Sequence, residues 1–247
     1  MDFSAIDELK ARLDSLRPLN SAELKRLREE FIIENTYDSN AIEGNTLTLR
    51  ETALILRDGL TIAGKPIKEH LEAIGHRDAF GYITELAEAK HDNAFLTERV
   101  VKELHSLVLM NDAKNRGLYR NMAVRIVGAA HAPPPPYLVR EQMENLISAY
   151  NDGKSGKHII EAAAEFHIGF ENIHPFIDGN GRTGRLILNL ELIRAGFLPV
   201  NIKFADRGKY YDCFDDFHIS GGVSDAMTRL ILGYETEELS KRITMLE

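Results

Sequence analysis

The sequence predicts an all-α domain with one short β-hairpin. Three observations lead there. Apolar residues recur at helical spacing along most of the chain, and capping residues and glycines punctuate these stripes. Only residues 122–139 combine a β-branched run with a glycine and a proline tract. Neither an internal repeat nor a long flexible linker divides the 247 residues, so a single domain spanning 1–247 is expected.

In chain order, Asn20 and Glu23 suit a capping box ahead of the stripe Leu24, Leu27, Phe31 and Ile32. That helix is expected to run to Glu43, with Gly44 as its stop. Thr48 and Glu51 form a second capping box, and Gly59 ends the short helix that carries Leu54, Ile55 and Leu56. "TIAGKP" (61–66) is a turn, followed by a long helix through Ile74 and Phe80 to about Ala89. After Thr97 another helix buries Val100, Val101, Leu104, Leu107 and Val108. "MAVRIVGAAHAPPPPYLV" (122–139) reads as a strand or hairpin leading into an exposed extended stretch, because proline cannot donate to a ladder. Residues 161–173, 185–195 and 224–243 are helical, the last packing on the core or on a partner.

Composition narrows the function. A net charge of −8 disfavours broad attraction to nucleic acid or anionic membrane, so any anion site must be local. Cys213 is the single cysteine, and its acidic neighbours Asp212 and Asp215 discourage a reactive thiolate. The N-terminus lacks the basic-then-apolar pattern of a secretory signal, and no apolar run is long enough to span a bilayer. The cytoplasm is the expected location.

The chemistry concentrates in "HPFIDGNGRTGR" (174–185), between two strongly apolar helices. The second of these is expected to start near Gly181 and stop at Gly196. Arg182 and Arg185 then occupy its first turn, where the positive end of the macrodipole repels each by roughly 0.3–1 kcal/mol. Gly184 inside the helix costs about 1 kcal/mol relative to alanine. An anion reconciles these conflicts. Gly179 and Gly181 let N–H groups form a concave nest at a helix N-terminus, and two guanidinium forks suit phosphate oxygens. Asp178 can hold Mg²⁺, which favours a carboxylate plus substrate phosphates. His174 can accept a proton from an attacking hydroxyl at neutral pH.

Other phosphate-binding patterns are absent from the sequence: there is no G-x-x-x-x-G-K-[ST], and no G-x-G-x-x-G after a strand. Kinase catalytic-loop signatures are missing too. His167, among Phe166, Ile168 and Phe170, reads as a core histidine.

The stretch closely resembles the Fic-domain signature His-x-Phe-x-(Asp/Glu)-Gly-Asn-Gly-Arg-x-x-Arg. His174, Phe176, Asp178, Gly179, Asn180, Gly181, Arg182 and Arg185 match every defined position. The similarity extends over about residues 97–220, from "GLYR…VRIVG…PPP" to "DRGKYYDCF". The resemblance implies a helical Fic fold and transfer of AMP from Mg-ATP to a Ser, Thr or Tyr hydroxyl of a target protein. In that role His174 is the base, Asp178 carries Mg²⁺, and Gly179, Asn180 and Gly181 form the anion hole. Arg182 and Arg185 hold the outer phosphates, while Tyr210 and Tyr211 resemble tyrosines beside the nucleoside. His218 stands where some relatives carry an asparagine near adenine.

"SNAIEG" (39–44) resembles the family's inhibitory motif, (Ser/Thr)-x-x-x-Glu-(Gly/Asn), with Ser39 and Glu43 in its defined positions, inside an N-terminal region of about residues 20–50. A bidentate Glu43–Arg185 pair is the natural inhibitory contact, because Arg185 is also the candidate for the γ-phosphate. Val124, Ile126 and Val127 fall in what resembles the Fic flap, which would dock a target by main-chain pairing. A homodimer is compatible with these features. Two alternatives stay open: removal of AMP from a modified protein with Glu43 positioning a water, and a nucleotide-sensing toxin–antitoxin module.

Overall fold

The computed structural model describes residues 1–16, 21–89, 95–126 and 132–247. Its regular structure is helical: α1 Ser4–Ser15, α2 Ser21–Ile42, α3 Leu49–Asp58, α4 Ile67–Glu88, α5 Glu98–Val108, α6 Pro136–Gly153, α7 Ile159–Ile173, α8 Asn180–Arg194, α9 Arg207–Ile219 and α10 Asp225–Leu246. No helix among the described residues is long and apolar enough to cross a membrane.

The caps that define α3 are the expected ones. Glu51 N donates to Thr48 Oγ1 at 3.2 Å, and Thr48 N donates back to Glu51 Oε2 at 2.7 Å. Gly59 closes the helix at φ 65°, a left-handed conformation that glycine adopts without a Cβ penalty. The helix α2 stops at Ile42, one residue ahead of Glu43, and Asn20 of its expected capping box lies outside the described residues. Asn180, rather than Gly181, opens α8.

The described residues do not support the expected hairpin. Among the described residues there is no β-strand; 123–126 follow neither a helix nor a ladder, and Val127 lies outside the described residues. The proline tract explains the difference. Pro136 is the first residue of α6, where its fixed φ and missing N–H suit a helix start, so the tract feeds a helix and not a second strand. That helix and α1 were not legible as helices. α1 is tied down by tertiary packing, with Ile6 buried and Leu9 and Leu13 packed against a core that includes Ile231 and Leu239 of α10.

Helix α8 is the centre of the molecule. Every residue from Asn180 to Leu192 is buried. Leu186, Ile187 and Leu190 join a core with α4, α5, α6 and α7, while Leu188 and Leu192 join a second core with α1, α7, α9 and α10. A helix buried all round needs partners for its polar residues. Asn189 exchanges two hydrogen bonds with the Val200 main chain, and Glu191 accepts from Tyr150 at 2.6 Å and Arg194 at 2.6 Å. This fixes the rotation of α8 and therefore the direction of its first turn.

Candidate active site

The segment between α7 and α8 is a short loop braced from three sides. His174 caps α7 in the left-handed region at φ 49°, the one non-glycine residue with positive φ among those described. Such a conformation costs of order 1–3 kcal/mol and persists only where neighbours enforce it. Phe176, fully buried, stacks on His105 with centroids 3.6 Å apart. Gly117 N donates to His105 Nδ1 at 2.8 Å, so Nε2 carries the proton and donates to the Asp178 carbonyl at 2.9 Å. Burial pushes the His105 pKa down to about 4, which keeps this neutral tautomer in place. The Asn180 side chain closes the loop by exchanging two 2.9 Å bonds with the Phe176 main chain. One of its two amide N–H donors and its amide oxygen are thereby engaged within the loop.

Gly179 sits at φ 78° as the residue ahead of α8. Arg182 and Arg185 follow on one face, and both are buried rather than solvated. Arg182, 2% exposed, reaches Asp178 Oδ1 at 3.2 Å, Glu72 Oε1 at 3.5 Å and Asn40 Oδ1 at 3.4 Å; its Nε has no partner among the described residues. Burial disfavours ionisation of Asp178, but Arg182, Lys68 at 3.6 Å and the Gly179 N–H outweigh it and hold the carboxyl below its ordinary pKa. The result is an ionised, half-buried carboxylate at the mouth of the nest.

Four of the five N–H groups of Arg185 are engaged. Nε donates to Ser39 Oγ at 3.0 Å, Nη2 to the Ser39 carbonyl at 2.9 Å and to Glu43 Oε1 at 2.8 Å, and Nη1 to the Tyr210 hydroxyl at 3.3 Å. Ser39 and Glu43 thus meet Arg185 as expected, but the pair is not bidentate. Ser39 takes Nε and one Nη2–H, Tyr210 takes one Nη1–H, and the carboxylate meets a single N–H. Glu43 also lies over the nest: a Cβ on Gly181 would meet Glu43 Oε1 at 2.1 Å.

One aromatic expectation changes. Tyr210 is 1% exposed and backs Arg185, with its hydroxyl also 2.8 Å from His167 Nε2, so it is not open to a nucleoside. Tyr211 is exposed and donates to the Ile42 carbonyl at 3.3 Å, tethering the end of α2. His218 lies 3.1 Å from Asn172 Oδ1, across the gap between α9 and α7. His167 is a buried core histidine whose pKa falls to about 3 through burial and the charge of Arg185. Cys213 is buried, and burial with the nearby acids pushes its thiol up to about 11.

Residues that the sequence did not single out complete the surroundings. Asn40, Lys68 and Glu72 face Arg182 and Asp178, His105 braces the loop, and Glu171 lies 3.7 Å from His174 Nδ1. Burial and the Glu43 carboxylate, opposed by Arg185, raise the Glu171 pKa to about 8. None has a signal of its own, since in sequence each looks like any other polar residue of a helix.

The class is therefore a helical domain with a glycine-rich, arginine-bearing loop at a helix N-terminus, a histidine at its edge, and a glutamate from just beyond a neighbouring helix laid across it. The sequence pattern of the Fic/DOC family matches residues 95–192. Over 213 residues the chain is 39% identical to the protein adenylyltransferase Fic of Nematostella vectensis, covering 84% of this chain and 48% of that one. It spans about half the length of the curated relatives it matches. Residues 134–508 of Fic-1 from C. elegans superpose with a TM-score of 0.83 at 33% identity, covering 97% of this chain and 69% of that one. A Fic-domain-containing signalling protein from Bacteroides thetaiotaomicron superposes with a TM-score of 0.89 at 28% identity, covering 97% and 96%. The chain belongs to the Fic/DOC family.

Proposed function

We propose that this chain is a self-inhibited protein adenylyltransferase, moving AMP from Mg-ATP to a hydroxyl of a target protein. The observation that carries the reading is Glu43 held by Arg185 directly above Gly181, where phosphate oxygens would bind. Its relatives named protein adenylyltransferase support the chemistry.

In the released state His174 accepts the proton of the target hydroxyl. The hydroxyl oxygen attacks the α-phosphorus, the bond to the β-phosphate oxygen breaks, and pyrophosphate leaves with its electron pair. Arg182, Arg185 and the main-chain N–H groups of Gly179–Gly181 hold the phosphate charge without reorganising. The ionised Asp178 at the mouth of the nest fits a hard cation that takes its remaining ligands from phosphates and water. Bound there, Mg²⁺ would neutralise phosphate charge. Val124, Ile126 and Val127 belong to the segment that would receive the target's main chain, bordered by exposed Leu118, Met122 and Tyr137.

One observation favours a second activity. Only Oε1 of Glu43 engages Arg185 among the described residues, which leaves Oε2 to orient a water for removing AMP from a modified protein. ATP labelled at the α- or γ-phosphate, offered to the Glu43→Gly variant with Mg²⁺ and a lysate, separates the readings. Protein label from the α-position alone is the expected result. Label from the γ-position alone indicates a kinase, and tight ATP binding with no label indicates a nucleotide-sensing module of the toxin–antitoxin kind.

A further inference from the structure

Arg120 is buried at 5% exposure, and among the described residues it faces no carboxylate. Its guanidinium instead reads four carbonyl oxygens. Nε donates to His174 O at 2.8 Å, Nη1 to Met122 O at 3.1 Å, and Nη2 to Pro134 O at 2.6 Å and Ile173 O at 3.3 Å. Its own N–H donates to Pro175 O at 2.9 Å.

Two of these carbonyls end α7, and the orphan carbonyls of a helix C-terminus attract a cation. The other two flank the 123–133 stretch that leads from α5 into α6. Ion pairing does not explain a buried arginine placed this way, and burial lowers its pKa without displacing its charge. A planar fork with five fixed donors can satisfy carbonyls arriving from three directions; an ammonium on a flexible stem cannot do so with the same geometry.

We propose that Arg120 is a positioning residue that locks the base His174 and both ends of the target-docking segment into one rigid unit. The inference rests on the adenylyltransferase reading for its consequence, while the clamp itself is a matter of geometry. The strained φ of His174 needs an outside restraint, and the Arg120–His174 carbonyl bond supplies one. The same guanidinium then sets the distance between that histidine and whatever hydroxyl is presented along 123–126. ATP contacts lie elsewhere, on Arg182, Arg185 and the nest. Arg120 should therefore govern turnover with a protein acceptor and leave nucleotide affinity alone.

The test uses the full chain carrying Glu43→Gly, with and without Arg120→Lys. AMP transfer to the chain's own hydroxyls at saturating ATP should fall roughly 10- to 100-fold, as expected for a small misplacement of reacting groups. ATP affinity should stay within about threefold, so the loss appears in kcat and not in the KM for ATP. Transfer within about twofold of the parent, or an equal loss of ATP affinity, overturns the proposal. Should Arg120→Lys fail to fold, solvent exchange of the Arg120 Nε–H in the unsubstituted chain decides the matter by NMR. Slow exchange is expected, and exchange at the rate of a free guanidinium overturns the clamp. Absence of transfer by Glu43→Gly alone would instead refute the adenylyltransferase reading, leaving the exchange measurement to judge Arg120.

Discussion

Glu43 Oε1 lies 2.8 Å from Arg185 Nη2 and covers the glycine at the second position of α8. The carboxylate is about one-third exposed and the guanidinium 5% exposed, so the pair closes the nest from its solvent side. Two misplaced charges are resolved by this contact. Glu43 follows the C-terminus of α2, where an anion is disfavoured, and Arg185 lies in the second turn of α8, just past Arg182 in the first turn, where a cation is disfavoured. Each is the other's remedy in this structure. The rest of the junction is also polar, because Asn40 contacts Arg182 and Asp38 accepts from Phe204 N at 2.9 Å and Asn201 Nδ2 at 2.7 Å. A junction made of hydrogen bonds sets one register for the helix.

His174→Ala is expected to abolish AMP transfer in the Glu43→Gly background and to leave ATP affinity within about a few-fold, since the base acts on the attack and not on the bound nucleotide. Isothermal titration with ATP beside an α-label assay checks both halves. A variant that still transfers near the parent rate removes His174 from the role.

Asp178→Asn should raise the Mg²⁺ concentration needed for half-maximal transfer and slow the reaction at saturation, because a neutral amide is a poor ligand for a hard cation. A Mg²⁺ titration of the transfer rate is the check. An unchanged titration curve means that Asp178 serves only Arg182, Lys68 and the turn.

Gly184→Ala tests the packing of α8 on α7. A Cβ there would meet His167 Cε1 and Nδ1 at 2.8 Å and Glu171 Oε1 at 2.9 Å. Despite the better helix propensity of alanine, the variant should lose about 1–3 kcal/mol by denaturant unfolding. A gain in stability would show that α7 yields easily.

Stability should peak near pH 6.5. Burial depresses His76 to about 3, His105 to about 4 and His167 to about 3, against an ordinary 6.5. The unfolded chain therefore binds protons first, and this contribution, full above 6.5, is lost as pH falls toward those values. Burial raises Glu171 and Glu235 to about 8 from an ordinary 4.5. Their contribution is full below 4.5 and is lost as pH rises through 8. Between 4.5 and 6.5 the three histidines outweigh the two carboxyls; above 6.5 only losses remain. Denaturant midpoints across this range should show the maximum, and Glu171→Gln should flatten the alkaline side. A midpoint that climbs steadily to pH 8 contradicts this assignment.

Much of the site could be read before any coordinates, and the reason is that it breaks local rules. Arginines in a first turn, a mid-helix glycine and a glutamate at a helix end are all unfavourable alone, and the fold joins them. The Thr48–Glu51 box and Gly59 were legible because capping is local. What stayed hidden depends on three-dimensional company. The hairpin finds no support among the described residues, because a proline at the first position of a helix looks, in sequence, like one in a loop. The bidentate pair failed because Ser39 and Tyr210 compete for the same guanidinium. Tyr210 was misplaced because α9 buries one of two adjacent tyrosines, and adjacency carries no information about which. Arg120, whose partners are main-chain carbonyls from distant segments, leaves no pattern at all.

The proposed competition between Glu43 and ATP for Arg185 is tested by the initial rate of α-label incorporation. Wild type, Glu43→Gly, Arg185→Ala and the double variant are compared at one concentration of Mg-ATP. A bias of about 2–3 kcal/mol toward the closed pair corresponds to a suppression of roughly 30- to 150-fold. Glu43→Gly should therefore incorporate label faster than wild type by about that factor, while the double variant stays as poorly active as Arg185→Ala, because the phosphate ligand is missing in both. If Glu43→Gly leaves incorporation unchanged or lowers it, Glu43 does not inhibit, and a positive part for it in removing AMP takes its place.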